Sequence, residues 1–397
     1  MNNIRRGWCP SLYRPMETGD GFLCRIKPFF SSITSDQAFF IAQIAKDYGN
    51  GYMNISQKAN LQLRGFSPKD ISHLIPSIVE HHLASPDLKT EEKRNFLISP
   101  FTDLDPLCHP ETKNLAVTLQ DLILQNCQLH PLSGKFSFLV DGQGQFSLDQ
   151  HYSDINIRAH HHKWCIQLGR YPSVIACDVQ TAPYIALEIL QFCINNNIKR
   201  LIDPKNAQLF LDQTSYPTFT YTPKIMTTPP VGDIKDIGIH VGIPFGLLTA
   251  TQLQHLGVIA QQFGNATLQL TPWHSIILPN CSTRNLSSLT DFIITPEDPR
   301  LNVILCPGKP FCIQGQQPTL KDITRLLPHL SSYTAPIHLS GCAKGCASPQ
   351  SNPITLCATS TGYNLIFDGK ATEKTSYQDL NLTEIISLLK THSSSTL

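Results

Sequence analysis

The chain repeats a long segment of itself, and that repeat constrains the fold more than any other feature. TSDQAFFIAQIAKDYGNGYMNISQKANLQLRGF, residues 34–66, is answered by TATQLQHLGVIAQQFGNATLQLTPWHSIILPNC, residues 249–281. Each opens on threonine, runs through a helix-like segment of about eleven residues and reaches Gly-Asn, at Gly49-Asn50 and Gly264-Asn265. Two strand-like segments then follow in each copy. Ser35 is the expected N-cap of the first helix, with Ala38, Phe39, Ala42 and Ala45 on one apolar face. Leu253, Leu256 and Ala260 form the matching face of the second.

A second correspondence follows in the same order. LSGKFSFLVDGQGQF, residues 132–146, and LSGCAKGCASPQSNPITL, residues 339–356, both start Leu-Ser-Gly, which sets Lys135 at the position of Cys342. Asp141-Gly142 and Asp368-Gly369 read as hairpin turns. Two matches in one order imply a duplicated α+β unit. The 397 residues exceed one ordinary domain. The expected division is a small α/β piece at 1–84, a larger one at 85–215, a Pro/Thr-rich linker at 216–233, the small piece again at 234–292, a second large domain at 293–390 and a disordered tail at 391–397.

Net charge is +1, so no global field would hold nucleic acid or an anionic membrane, and an anionic ligand must meet a local basic cluster. No window approaches the roughly 18 apolar residues of a membrane span. The N-terminal arginines lack an apolar segment behind them, so a cytoplasmic location is expected.

Thirteen cysteines without a secretory signal argue against a disulfide framework. Four are clustered: Cys306 and Cys312 in CPGKPFC, then 29 residues, then Cys342 and Cys346 in CAKGC. Four thiolates from two short loops suit a [4Fe–4S] cube. The alternatives are a zinc site, which prefers tighter knuckles, disulfides, or unrelated buried thiols. TLKDITRLLPHL, with Thr319 as N-cap, and the strand APIHLS would fold the two pairs together. Cys127, Cys165, Cys177 and Cys193 lie in apolar stretches and read as small core residues, while Cys9 and Cys24 flank the GDGF turn.

The cysteine pattern in a duplicated chain resembles the sulfite and nitrite reductase superfamily. RRGWCPSLYRPMETGDGFLCRI, ANLQLRG, GKFSFLVD and LSGCAKGCASP resemble its precorrin-3B synthase branch. That resemblance implies an α+β, pseudo-twofold architecture of two ferredoxin-like halves and two larger α+β domains. It also implies O2-dependent hydroxylation of precorrin-3A with ring-A lactone formation, in cobalamin biosynthesis. The cofactor implied is a [4Fe–4S] cluster on Cys306, Cys312, Cys342 and Cys346. A mononuclear non-haem iron is admitted as the O2 centre, with NADH as formal reductant through an electron-transfer partner. No dinucleotide motif appears in the chain.

By the same resemblance Lys58, Arg94 and Lys135 match basic positions that hold anions and tetrapyrrole carboxylates in the reductases. Ser137 stands where a further lysine would face the substrate, which weighs against the alternative of a sirohaem-dependent sulfite or nitrite reductase. Lys58, Arg64, Arg94 and Lys135 are expected as rim clamps on the substrate. Asn60 and Gln62 share a strand face and are expected to hydrogen-bond the macrocycle. The run His160–His162 is a poor metal candidate, because neighbours on a strand alternate faces.

Overall fold

The computed structural model describes residues 10–161, 163–223, 228–286, 291–330, 335–348 and 350–393. Both repeated helices are capped by their opening threonine and begin at the residue after it. Thr34 caps Ser35–Asp47 and Thr249 caps Ala250–Phe263, each in a Thr-x-x-Gln capping box. Gln37 N donates to Thr34 Oγ1 at 3.1 Å while Thr34 N donates to Gln37 Oε1 at 2.9 Å. Ser35, the expected cap, is instead the first helical residue. Its Oγ donates to the Gly257 carbonyl of the other helix at 2.9 Å.

The two helices pack on each other at Gly257, where a Cβ would lie 2.7 Å from the Phe39 ring. Below them the halves exchange strands. Ser32–Thr34 leaves the first half to pair with Thr267–Leu270 of the second, and Leu247–Thr249 pairs with Tyr52–Ile55 of the first. The result is two five-stranded sheets over one apolar core that includes Ile41, Met53, Leu63, Leu253 and Leu268. Backbone irregularities repeat too: Phe30 and Phe245 have φ of 56° and 59°, and Ala59 and His274 have 52° and 58°. These pairs fall at equivalent places in the two copies, so the duplication extends to strained positions that no hydrophobic pattern encodes.

The larger domains share a topology. Phe96–Ile98, Phe138–Asp141 and Ile155–His160 run parallel, with Lys163–Leu168 and Ser173–Cys177 antiparallel beyond them. Val303–Leu305, Ile337–Ser340 and Asn352–Ala358 repeat that arrangement with Tyr363–Gly369 and Tyr377–Leu380. Three expectations change here. The first Leu-Ser-Gly precedes its strand, Phe138–Asp141, whereas the second ends the equivalent strand, Ile337–Ser340. The match is therefore out of register, and Gln143, not Lys135, occupies the place of Cys342. Asp141-Gly142 ends a strand with parallel neighbours and is no hairpin turn. Asp368-Gly369 closes a strand whose hairpin loop comes after it.

The segment 216–233 is not wholly irregular: Thr218–Thr220 adds an edge strand to the six-stranded sheet. The last helix, Leu382–Ser393, takes in the first residues of the expected tail, and 394–397 lie outside the described residues. No helix among the described residues is long and apolar enough to cross a membrane.

Candidate cluster and substrate site

Cys306 follows the strand Val303–Leu305 and Cys342 follows Ile337–Ser340, so parallel pairing of those strands sets the two loops side by side. Cys306 N donates to the Leu339 carbonyl at 3.0 Å, and Gln316 N donates to the Gly341 carbonyl at 2.8 Å. A Cβ on Gly341 would sit 2.9 Å from Gly308 Cα and 3.3 Å from Cys306 Sγ, so the close backbone approach of the two loops favours glycine there. Burial pushes the Cys306 thiol up. The backbone N–H groups of Gly308 and Gly341 pull it back, and neighbouring Cys312 and Cys342 add to the rise. Thr319 does not cap its helix, which starts after Pro318; its hydroxyl donates to the Cys306 carbonyl and braces the loop.

The first copy shows what these loops do without cysteine. The equivalents of Cys306, Cys312, Cys342 and Cys346 are Ser99, Asp105, Gln143 and Ser147, all buried. There the Asp105 carboxylate ties both loops together, accepting from Leu107 N at 2.9 Å and from Gln145 Nε2 at 3.2 Å, as well as from Gln145 N. The second copy has no such carboxylate; thiols stand in its place.

Cys346 is exposed and lines an open cavity of about 820 Å³ formed between both ferredoxin-like halves and the cysteine domain. That volume is at the upper end of the range of about 300–1,000 Å³ for small-molecule sites. Gln62, Arg64, His240, Trp273, His274 and Arg300 contribute to its wall. Its two arginines already have carboxylate partners, Asp20 for Arg64 and Asp298 for Arg300.

Of the expected substrate residues, Gln62 and Arg64 line this cavity; Lys58, Asn60, Arg94 and Lys135 do not. Arg94 is buried, paired with Glu91 at 2.8 Å, donating to the Lys27 carbonyl and stacked over Phe29. Lys58 donates to the Tyr152 carbonyl at 2.8 Å and to Ser153 Oγ at 2.7 Å. Burial pushes its ammonium down to about 8; Asp154 opposes that shift, and Arg200 and Arg158 add to it. Burial pushes the His151 imidazole down to about 4, and Lys58, Arg158 and His274 add to that; its ring meets Trp273, a wall residue, edge-on. Asn60 is buried at the head of its strand and Lys135 is half-buried outside the wall. Ser137 does not face the cavity. It is sealed against Asp154, which accepts from its N and Oγ at 3.0 and 3.1 Å. Its charge argument against the reductases therefore has no purchase at the cavity.

A family model described as the nitrite/sulfite reductase ferredoxin-like half domain matches residues 14–80 and 234–291, the two strand-exchanging units. A precorrin-3B synthase from Sinorhizobium sp is 28% identical, over 93% of this chain and 84% of that protein. A ferredoxin–nitrite reductase from Leptolyngbya laminosa is 26% identical over 93% of this chain and 82% of its own length. The solved structure of the Mycobacterium tuberculosis NirA protein superposes with a TM-score of 0.68 at 13% identity, covering 94% of this chain and 81% of that one. The two small units match the half domain of the nitrite and sulfite reductase superfamily, and nearly the whole chain is similar to the two relatives above. By these relatives it is an enzyme, an oxidoreductase, built on the duplicated unit that the repeat implied and the two ferredoxin-like halves that the resemblance implied.

The donor set fits the iron–sulfur chemistry of that superfamily. Four thiols stand on two loops that meet at Gly341, with backbone N–H groups aimed at Cys306 sulfur. No three His, Cys, Asp or Glu side chains among the described residues are drawn together tightly enough for a single ion. A cube, with one sulfur ligand per iron, spaces its thiolates more widely. His160 ends its strand and His161 lies in the turn after it, while His162 lies outside the described residues. Cys165, Cys177 and Cys193 are buried as expected of core thiols, but Cys127 is exposed at the start of the short turn Cys127–Leu129; Cys9 lies outside the described residues.

Sequence reasoning passed over Trp273 and His274. They are the second-copy equivalents of Lys58 and Ala59, and carrying the repeat through residue by residue marks them. His240 is also in the wall. Its Nδ1 lies 2.9 Å from the Pro230 carbonyl and so donates, leaving Nε2 to accept from Ser275 Oγ at 2.6 Å. Burial pushes its imidazole down to about 4, against the carbonyls of Pro230 and Pro229. The folded state therefore holds a neutral ring that the unfolded chain protonates first as pH falls. Relative to His240→Gln, the parent should lose roughly 2 kcal/mol of stability between about pH 7.5 and about pH 5. Urea midpoints at the two pH values test this; parallel curves would contradict it.

Proposed function

We propose that the chain catalyses O2-dependent hydroxylation of precorrin-3A, closing the ring-A lactone to give precorrin-3B. The observation that carries this reading is the large cavity shared by the two halves, with Cys346 in its lining. The match to a precorrin-3B synthase along nearly the whole chain supports it. One oxygen atom enters the macrocycle and the other leaves as water, with two electrons formally from NADH through a protein partner. A [4Fe–4S] cluster on Cys306, Cys312, Cys342 and Cys346 supplies electrons singly when bound.

The chain's own residues bind and orient the substrate. Arg64 and Arg300, each already paired with a carboxylate, offer N–H donors to rim carboxylates, and Gln62 offers an amide two strand positions before Arg64. Trp273 gives the macrocycle an apolar face. His274 Nδ1 lies 2.6 Å from the Ile55 carbonyl and donates to it, which leaves Nε2 as a lone-pair acceptor in the wall. That nitrogen is positioned to take the carboxylic proton when the lactone closes.

Anaerobic purification with iron and sulfide assay, followed by incubation with precorrin-3A with and without O2, tests the reading. The expected result is a mass gain that requires O2. The similarity to ferredoxin–nitrite reductases favours a second reading, sirohaem-dependent reduction of nitrite or sulfite. Turnover of either anion with precorrin-3A unchanged would establish that one instead.

A further inference from the structure

Arg64 touches three things at once. It lines the cavity; its Nε and Nη2 each donate to Asp20 at 2.9 Å; and Nη2 also donates to the Phe311 carbonyl at 2.6 Å. Phe311 immediately precedes Cys312. Nη1 reaches Asn54 Oδ1 at 3.3 Å, and Asn54 is itself a wall residue. Both partners of the ion pair are nearly closed to solvent, with side-chain exposures of 7% and 6%. Asp20 is fixed in turn by Thr18 Oγ1 and Asn50 Nδ2, each donating at 2.8 Å. The turn that carries it lies hard against the cysteine loop: a Cβ on Gly19 would fall 2.2 Å from the Pro310 carbonyl. Tyr52 adds an edge contact to the Phe311 ring at 5.4 Å.

The geometry points to Arg64 as a positioning residue that carries the state of the substrate cavity to the loop holding Cys312. The deduction rests on the cluster reading above. A planar guanidinium can satisfy Asp20 through one edge and still reach a backbone carbonyl and the cavity; lysine, a point charge, cannot do all three. A carboxylate entering the cavity beside Arg64 competes for the N–H groups that face Asn54 and Phe311. The loop of Cys312 then feels the ligand without touching it.

The experiment uses the full chain purified without air, as parent, Arg64→Lys, Asp20→Asn and the double variant. The first readout is release of cluster iron to a chelator. Each single variant should release iron about tenfold faster than the parent, the loss of one charge-assisted hydrogen bond. The double variant should be little faster than either single one, because both break the same link. The second readout is the EPR spectrum of the reduced cluster with and without uroporphyrin, a macrocycle carboxylated around its rim. The parent spectrum should shift on addition of uroporphyrin, and the Arg64→Lys spectrum should not. Equal shifts in both, or none in either, would overturn the coupling, as would parental iron release from the single variants. A parent that binds no iron and sulfide fails at the earlier step and removes the cluster reading with it, which keeps the two failures distinct.

Discussion

A Cys346→Ser chain purified without air is expected to lose most of its iron and sulfide and, with them, any O2-dependent conversion of precorrin-3A. The expectation follows from what each loop lacks. In the first large domain the Asp105 carboxylate links the two loops through backbone and side-chain N–H groups. In the second, the hydrogen bonds from Cys306 N and Gln316 N only repeat those that Ser99 N and His109 N make in the first, and thiols stand where the carboxylate linked the loops. A cube bound by four thiolates is then the main cross-link, and removing one ligand takes away both a bond to iron and part of the loop closure. Cys346 is the most exposed of the four and the one that lines the cavity, so its loss should also alter whatever binds there. Cys127→Ser is the control, since that thiol is exposed on the other large domain. Iron and sulfide per chain, with the visible absorption of the cluster, give the measurement. A Cys346→Ser protein with parental iron and sulfide would remove this residue from the ligand set.

The parts of this architecture legible in the sequence are those in which local chemistry and global fold agree. An opening threonine before an apolar helical stripe marked both repeated helices, even though the cap falls on Thr34 rather than Ser35. The paired cysteine loops were legible because each follows a short apolar strand. Strand exchange was not. Ser32–Thr34 and Leu247–Thr249 are three residues long, and nothing in three residues states which sheet they join. The Leu-Ser-Gly match failed for a related reason: a tripeptide can recur by chance on either side of a strand, and only strand pairing reveals the register. Cations were the least legible. Arg64 and Arg94 look alike in sequence, yet one lines the cavity and the other is enclosed by Glu91, Lys27 and Phe29, partners far apart in the chain or hidden by burial.

The largest expected loss of stability is at Asp154. Its carboxylate is fully buried at the start of the strand Ile155–His160 and satisfies donors from three directions. Ser137 N and Oγ donate from the preceding strand segment, Leu201 N from a distant loop at 2.8 Å, and Arg200 Nε at 2.9 Å. Asp154→Ala leaves two backbone N–H groups and a hydroxyl without an acceptor in a dry site. The cost should be about 3–5 kcal/mol. Arg200 is about one-third exposed and can turn to water, so its ion pair adds little to that figure. Asp154→Asn keeps the shape and one acceptor oxygen, and should cost less than half as much. Urea unfolding of the three chains separates these cases: an unchanged midpoint for Asp154→Ala would mean that water takes the place of the carboxylate. The same comparison bears on Ser137. If Asp154 holds the strand through Ser137, then Ser137→Ala should lose only its hydroxyl bond, about 1 kcal/mol, because its backbone N–H keeps its acceptor. A serine with that small, purely structural effect is part of the scaffold behind the cavity, and the choice between tetrapyrrole oxidation and anion reduction then falls to Arg64, Arg300, Trp273 and His274 in the wall.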